Sequence, residues 1–384
     1  MKVYPYTHFL AENSFYKNML KKDLYYFILI AMWVISCKKS DSTPTDGFDR
    51  AKMLENYAQN LIKPAYQDLQ SQINNLKTAT TNFVQSTSEP NLVALQTAWI
   101  NTYKTWQYAN AYNFGPAGEQ GLKKGLIEEI GTFPVSTSKI ESTITNNNAN
   151  FNDFNRDARG FLAIEYLIFD LNGNQQNILT AFANQNRKNY LSGIVENIKT
   201  RVDEVVTVWD VTYLDEFVRN VGTDVGSSTS LLYNEFVKSF EAIKNFKVGL
   251  PLGKRPGQVQ AEPQLVEAYY SGKSLEMLKA HFEAIENIWY GKSKNGADGV
   301  GFKEYLEYVE GGKALIESTE AQLQIIRNTL NAVPLSPSFS VQIQTVPASL
   351  ESLHTELQRH TRFFKSDMSS VLGIAITFSS GDGD

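Results

Sequence analysis

Apolar residues recur at spacings of three and four along most of this chain, and such a stripe fits a helix with one buried face. Residues 49–84 show it best, with Met53, Tyr57, Leu61, Ala65, Leu69, Ile73 and Leu76 on one line. Asp46 is a candidate N-cap for that helix, and Pro64 is a place where it could kink. Further stripes run over 91–113, 154–169, 187–209, 229–247, 264–290, 302–310, 313–331 and 347–371. Strand-type alternation is confined to short runs, the best being FSVQIQTV at 339–346. The pattern predicts an all-α fold.

Two stretches match at an offset of 183 residues. Leu95, Trp99 and Trp106 in LQTAWINTYKTW correspond to Leu278, Phe282 and Trp289 in LKAHFEAIENIW. The long helix at 50–76 has a looser echo at 187–210. The expectation is two helical-bundle halves related by an internal duplication, the first over 47–186 and the second over 187–384. A Gly/Pro loop at 249–263, with six Gly or Pro residues in fifteen, interrupts the second half. At 384 residues the chain has ample length for two such units.

Ahead of the helical body, Leu24 to Ile35 reads LYYFILIAMWVI, twelve uncharged residues preceded by Lys21 and Lys22. Twelve is too short to span a bilayer, which needs about 20, but it suits the apolar region of a secretory signal. The run ends in Ser36-Cys37 and passes directly into KKSDSTPTDG, which resembles a bacterial lipoprotein signal with Cys37 as the lipidated residue. Residues 1–36 are then a signal peptide, with Met19 a plausible start, and 37–46 a polar tether. Lysines rather than an acidic run after Cys37 favour the periplasmic side of the outer membrane over the cell surface.

The single cysteine excludes a disulfide framework and CxxC chemistry. With 36 basic against 41 acidic residues and no like-charge block, nucleic acid is not an expected partner. Phosphate-loop, nucleophile-elbow and HExxH motifs are absent from the sequence. Three constellations remain. Glu351 and His354 share a helix face at i,i+3, a spacing used in metal-binding bundles, but the sequence offers no second Glu-x-x-His, and a solvated face with local Glu/His pairs is the better account. His281, Glu283 and Glu286 lie on the second aromatic helix, where 500° of rotation separates His281 from Glu286. Glu165 interrupts an apolar run from Phe161 to Phe169, and a carboxylate there needs a partner or a polar pocket.

The Glu165 segment, Gly160-Phe161-Leu162-Ala163-Ile164-Glu165-Tyr166-Leu167, resembles the imelysin family, whose mark is Gly-x-His-x-x-Glu on a helix leading into Ala-Ile-Glu-Tyr/Phe-Leu. AWINTYKTWQYANAYNFGP at 98–116, KVGLPLGKRPG at 247–257, VEAYYSG at 266–272, IENIWYG at 285–291 and the ending LGIAITFSSGDGD resemble further family segments. The histidine position is Leu162, which coordinates nothing, and Gly131-Thr132-Phe133-Pro134 departs from the family's Trp-Pro segment. The resemblance implies a two-bundle, lipid-anchored envelope protein linked with iron uptake, its ligand cleft between the halves near Glu165 and Gly160. Lys247 and Arg255 are expected to pair with the ligand, and Glu165, Glu351 and His354 are the candidate donors should iron or another divalent metal bind directly. Implied partners are the membrane, through Cys37, and iron-uptake components. The alternatives are a metallopeptidase, which would need His281, His354 or His360 to replace the missing ligand, and a protein-interaction scaffold.

Overall fold

The stripe at 49–84 becomes helix α1, which runs Arg50–Asn56, widens into a π-helical turn at Tyr57–Ile62 and continues as Lys63–Gln85. In the computed structural model, which describes residues 47–379 apart from 120, 122 and 123, the π turn ends just before Pro64. The N-cap is Asp49, whose carboxylate accepts the Lys52 amide at 3.0 Å. Asp46, Cys37 and the expected signal peptide and tether lie outside the described residues.

Helix α2 (Glu89–Ala109), short helices α3 (Leu126–Ile130) and α4 (Thr137–Asn146), α5 (Phe161–Ile168) and α6 (Gln175–Ala181) follow. Next come α7 (Gln185–Val208), α8 (Ser228–Ala242), α9 (Ser274–Tyr290) and α10 (Phe302–Glu307). The chain ends through α11 (Gly312–Ala332), α12 (Phe339–Thr345) and α13 (Ala348–Arg362). No strand occurs among the described residues, so the all-α expectation holds. The alternating run at 339–346 is helical instead. Phe339, Gln342 and Ile343 are its buried positions, an i,i+3,i+4 face, and with no neighbouring strand its backbone groups are satisfied only within a helix.

The Lys63–Gln85 part of α1 lies along both α2 and α7, burying Leu69, Ile73, Leu76 and Phe83 completely. Burial of each such side chain is worth about 1.5–3 kcal/mol, which outweighs the tenths of a kcal/mol that separate helix propensities. Helices α2 and α9, which carry the matched aromatic pattern, pack against each other, and α11 packs against α13. One continuous apolar cluster runs from Phe48 to Ile374. Its C-terminal part centres on Phe364, whose ring lies 4.6 Å from Phe236, 5.3 Å from Phe240 and 4.2 Å from the His360 ring. No helix among the described residues is long and apolar enough to cross a membrane.

π turns recur at the ends of α7 (Trp209–Tyr213), α8 (Ile243–Gly249) and α13 (Phe363–Asp367). An inserted residue shifts the following side chains around the axis, and such insertions are frequent at functional sites. The one after α8 matters most below.

Candidate ligand-binding site

Helix α5 starts where it does because Gly160 has φ +86° and sits against α3: a Cβ there would come within 2.4 Å of the Ile130 carbonyl oxygen. The same junction is braced by charge. Glu129 on α3 accepts from Arg159 Nη2 at 2.9 Å and from Arg156 Nη2 at 2.9 Å, while Arg159 Nη1 also donates to the Asp153 carbonyl at 3.0 Å. Arg159 is 2% exposed and Glu129 4%. The indole Nε1 of Trp99 donates to Phe161 O at 2.8 Å, and Gln96 Nε2 to Ile168 O at 2.7 Å, so both ends of α5 are tied to α2.

This mounting presents Glu165 to the segment before α9, and its Oε1 accepts the Ser271 backbone amide at 2.8 Å. Burial raises its carboxyl pKa to about 7; the hydrogen bonds from Ser271 oppose that rise and nearby Glu267 adds to it. Leu162, at the family's histidine position, is buried in the apolar core.

Glu267 stands at the centre of a buried polar chain. Its Oε1 accepts from Tyr103 OH at 2.7 Å, and its Oε2 lies 2.8 Å from Lys247 Nζ. Lys247 also donates to Gln107 Oε1 at 2.5 Å. Burial lowers the Lys247 pKa, and the Glu267 carboxylate counters that. Beside them, Ser239 Oγ and His281 Nε2 are 2.7 Å apart, while His281 Nδ1 has no protein partner. Burial, reinforced by the Lys247 charge, drives the His281 pKa well below its usual 6.5, so this imidazole is neutral at physiological pH.

Lys247, Glu267, His281 and Ser239 line a cavity of about 340 Å³. Its other wall is Trp106 and Ile127 with Gly131, Thr132 and Phe133, the segment that departs from the family's Trp-Pro pattern. The opening therefore lies between residues 106–133 and residues 235–281, and its size falls in the range of small-molecule sites, about 300–1,000 Å³. Aromatic side chains facing two ammonium groups (Lys238 and Lys247), three carboxylates (Glu128, Glu235 and Glu267) and a neutral imidazole suit a small molecule with an apolar body and a polar head.

The raised pKa of Glu165 has a measurable consequence. The folded protein holds this proton up to about pH 7, whereas the unfolded chain releases it near 4.5. The carboxyl thus favours folding below pH 4.5 and loses that contribution as pH rises to 7, by about 3 kcal/mol. In Glu165→Gln that term is absent. Urea unfolding at pH 4.5, 6 and 8 should show the difference between wild type and variant shifting by about 3 kcal/mol in the variant's favour. A difference independent of pH would mean Glu165 ionises normally.

The other sequence candidates are dispersed. Arg255 does not reach the cavity; its guanidinium lies 5.1 Å above the ring of Phe246, which lines the cavity from the other side. Glu351 is exposed, 3.7 Å from Lys254, and His354 packs against Gly249. Glu283 accepts from Tyr108 OH at 2.9 Å, and Glu286 pairs with Arg327. His360 is enclosed by Phe240, Phe363 and Phe364, and burial pushes its pKa down to about 3. Among the described residues, no group of three or more His, Cys, Asp or Glu side chains comes together in a way that could hold a metal ion. The donor set does not fit a protein-held iron, and the Lys247 ammonium beside Glu267 further opposes a bare cation.

Sequence reasoning missed Glu267, Tyr103 and Ser239, together with the Glu129–Arg159 brace. The visible signal for the brace was Arg156 and Arg159 closely preceding Gly160. Nothing local marked Glu267, which lies in an ordinary-looking VEAYYSG.

Helices without strands among the described residues, and a buried ionic cluster at a cavity between the earlier and later helices, define a helical protein with an internal small-molecule-sized site. The chain belongs to the imelysin family, whose model matches residues 62–357. It is 19% identical over 323 residues to iron-regulated protein A of Synechococcus elongatus, covering 80% of this chain and 84% of that protein. Among solved structures, it resembles a putative iron-regulated protein A precursor from Parabacteroides distasonis, with a TM-score of 0.70, 16% identity and coverage of 86% and 97% of the two chains. An imelysin-like protein from Psychrobacter arcticum gives a TM-score of 0.67, 17% identity and the same coverage. These structural likenesses establish the fold.

Proposed function

We propose that this chain is a lipid-anchored envelope protein that binds, without chemical turnover, a small aromatic acid in the cavity between its helices, with an iron-linked role. The observation that carries the proposal is the Lys247–Glu267–His281 cluster at a 340 Å³ cavity with aromatic walls. Relatives named for regulation by iron support the link to that metal. Because the residues present do not fit a protein-held cation, iron would arrive as cargo, already chelated by the ligand. Lys247 would meet an anionic head, Ser239 and His281 a hydroxyl, and Trp106, Phe133 and Phe246 the ring. Glu165 acts one step removed, by holding the Ser271 amide and with it the segment carrying Glu267.

Isothermal titration with 2,3-dihydroxybenzoate, free and as its ferric chelate, tests this. Saturable binding is expected for wild type and its loss in Ala242→Trp, which fills the cavity while leaving the Lys247–Glu267 pair in place. No saturable heat with either form, or binding unchanged in Ala242→Trp, would overturn the assignment.

The anchor is tested separately. Cys37→Ala is expected to abolish palmitate labelling and to move the protein out of the membrane fraction. Retention of the variant on membranes would remove the lipoprotein reading and leave the cavity proposal intact.

A further inference from the structure

The π turn within α1, with Pro64 directly after it, stands against the C-terminal parts of α2 and α9, and these elements enclose a second pocket of about 280 Å³. It shares no lining residue with the central cavity. Its floor is apolar and aromatic: Leu61, Tyr108, Tyr112 and Ala284 are all buried. Its rim is polar, with Asn60 from the π turn, Asn287 from the last turn of α9, and Ser293 and Asn295 from the loop that follows. Burial alone raises the Tyr112 phenol pKa, and among the described residues its hydroxyl has no hydrogen-bond partner. The side-chain amides of Asn287 and Asn295 likewise have none among those residues.

The loop wall is held in place before any ligand arrives. Ser293 N donates to Ala297 O at 2.9 Å, Ala297 N donates to Ser293 Oγ at 3.0 Å, and Gly296 between them takes φ +89°. Lys294 fastens this turn to both helices, its Nζ lying 4.8 Å from the Tyr108 ring centre and 3.5 Å from the Asp68 carboxylate. Tyr108 is fixed in turn by donating its hydroxyl to Glu283 at 2.9 Å. Side chains held this way lose little entropy on meeting a ligand. The charged lining residues, Asp68, Lys292 and Lys294, are all exposed at the rim, where charges are well screened and contribute little. The groups deeper in the pocket are a phenol and amides, all neutral.

We infer that this second pocket binds a neutral sugar through one ring, independently of the central cavity, with Tyr112, Asn287 and Asn295 meeting its hydroxyls. Amides and a phenol both donate and accept hydrogen bonds, and so do the hydroxyls of a sugar, so each can be paired without a charge. The C–H face of the ring would cover the apolar floor of Leu61, Ala284 and the two tyrosines. At about 280 Å³ the pocket lies at the lower edge of the small-molecule range, which suits a single ring.

Isothermal titration of the full chain with glucose and, separately, with N-acetylglucosamine tests the site. Saturable one-site binding of at least one probe is expected, with the same affinity at about 0.05 M and 0.5 M salt because no charge pair forms. Affinity should fall about three- to tenfold in Tyr112→Phe, which removes one hydrogen bond, and at least about tenfold in Asn287→Ala/Asn295→Ala, which removes two. Ala65→Trp, which fills the pocket from α1, should abolish binding, while Ala242→Trp, which fills the central cavity, should leave it unchanged. No saturable binding of either probe, unaltered affinity in the asparagine and Ala65 variants, or glucuronate binding more than about tenfold tighter than glucose, the mark of a charge-seeking site, would overturn the assignment.

Discussion

Replacing Lys247 with Met is expected to destabilise the fold by about 3–5 kcal/mol at pH 7, because it leaves Glu267 charged and buried with Tyr103 OH as its remaining close donor. The pair itself contributes much less than that figure, since the cost of taking two charges out of water offsets most of their attraction. Two outcomes separate these quantities. Lys247→Met/Glu267→Gln should recover more than half of the loss, giving a coupling energy of about 2 kcal/mol or more in a double-mutant cycle read by urea unfolding. Lys104→Met, which breaks the half-exposed pair with Glu276, should change stability by less than about 1 kcal/mol. A Lys247→Met effect as small as the Lys104 effect would show that water reaches the Lys247–Glu267 pair.

A comparable loss is expected from Glu129→Ala. Arg159 is 2% exposed, and Glu129 is its closest anion; Asp153 lies farther off, at 3.5 Å, and is one-third exposed. Removing Glu129 strands Arg159 and frees Arg156, at a cost of about 3–5 kcal/mol. The effect should also be local. Glu129 and Gly160 together fix where α5 begins, so loosening that junction should raise hydrogen exchange at the Ser271 amide, which Glu165 holds. Lys139→Ala, which breaks an exposed pair with Asp157 at the same end of the molecule, should leave that exchange unchanged. Equal protection of Ser271 in wild type and Glu129→Ala would disconnect the brace from the site.

Much of the architecture was legible because helical periodicity is a local property. The stripe at 49–84, the aromatic helices at 91–113 and 264–290 and the stripe at 313–331 all reappear as helices, although α9 begins only at Ser274. Where the pattern misled, it was short. In FSVQIQTV, eight residues satisfy period two and period 3.6 almost equally, and only the absence of a partner strand decides between them. Glu165 was legible for a related reason: a carboxylate in an apolar run must find a partner, whichever it is.

What that partner is could not be read locally. The Ser271 amide is 106 residues away, and Glu267 meets Tyr103 across a separation of 164. Lys247 and Arg255 look alike in the sequence, one cation just before the Gly/Pro loop and one inside it. The π turn sends Lys247 inward to Glu267, and Phe246 screens Arg255 from the cavity and places it in a different pocket. The sequence alone determined the helical class, the family and the conspicuous carboxylate, because spacing along the chain sets which faces are apolar. The tertiary structure decided which polar groups share a site, because burial forces each charge to choose its partner from whatever packing brings within hydrogen-bond reach.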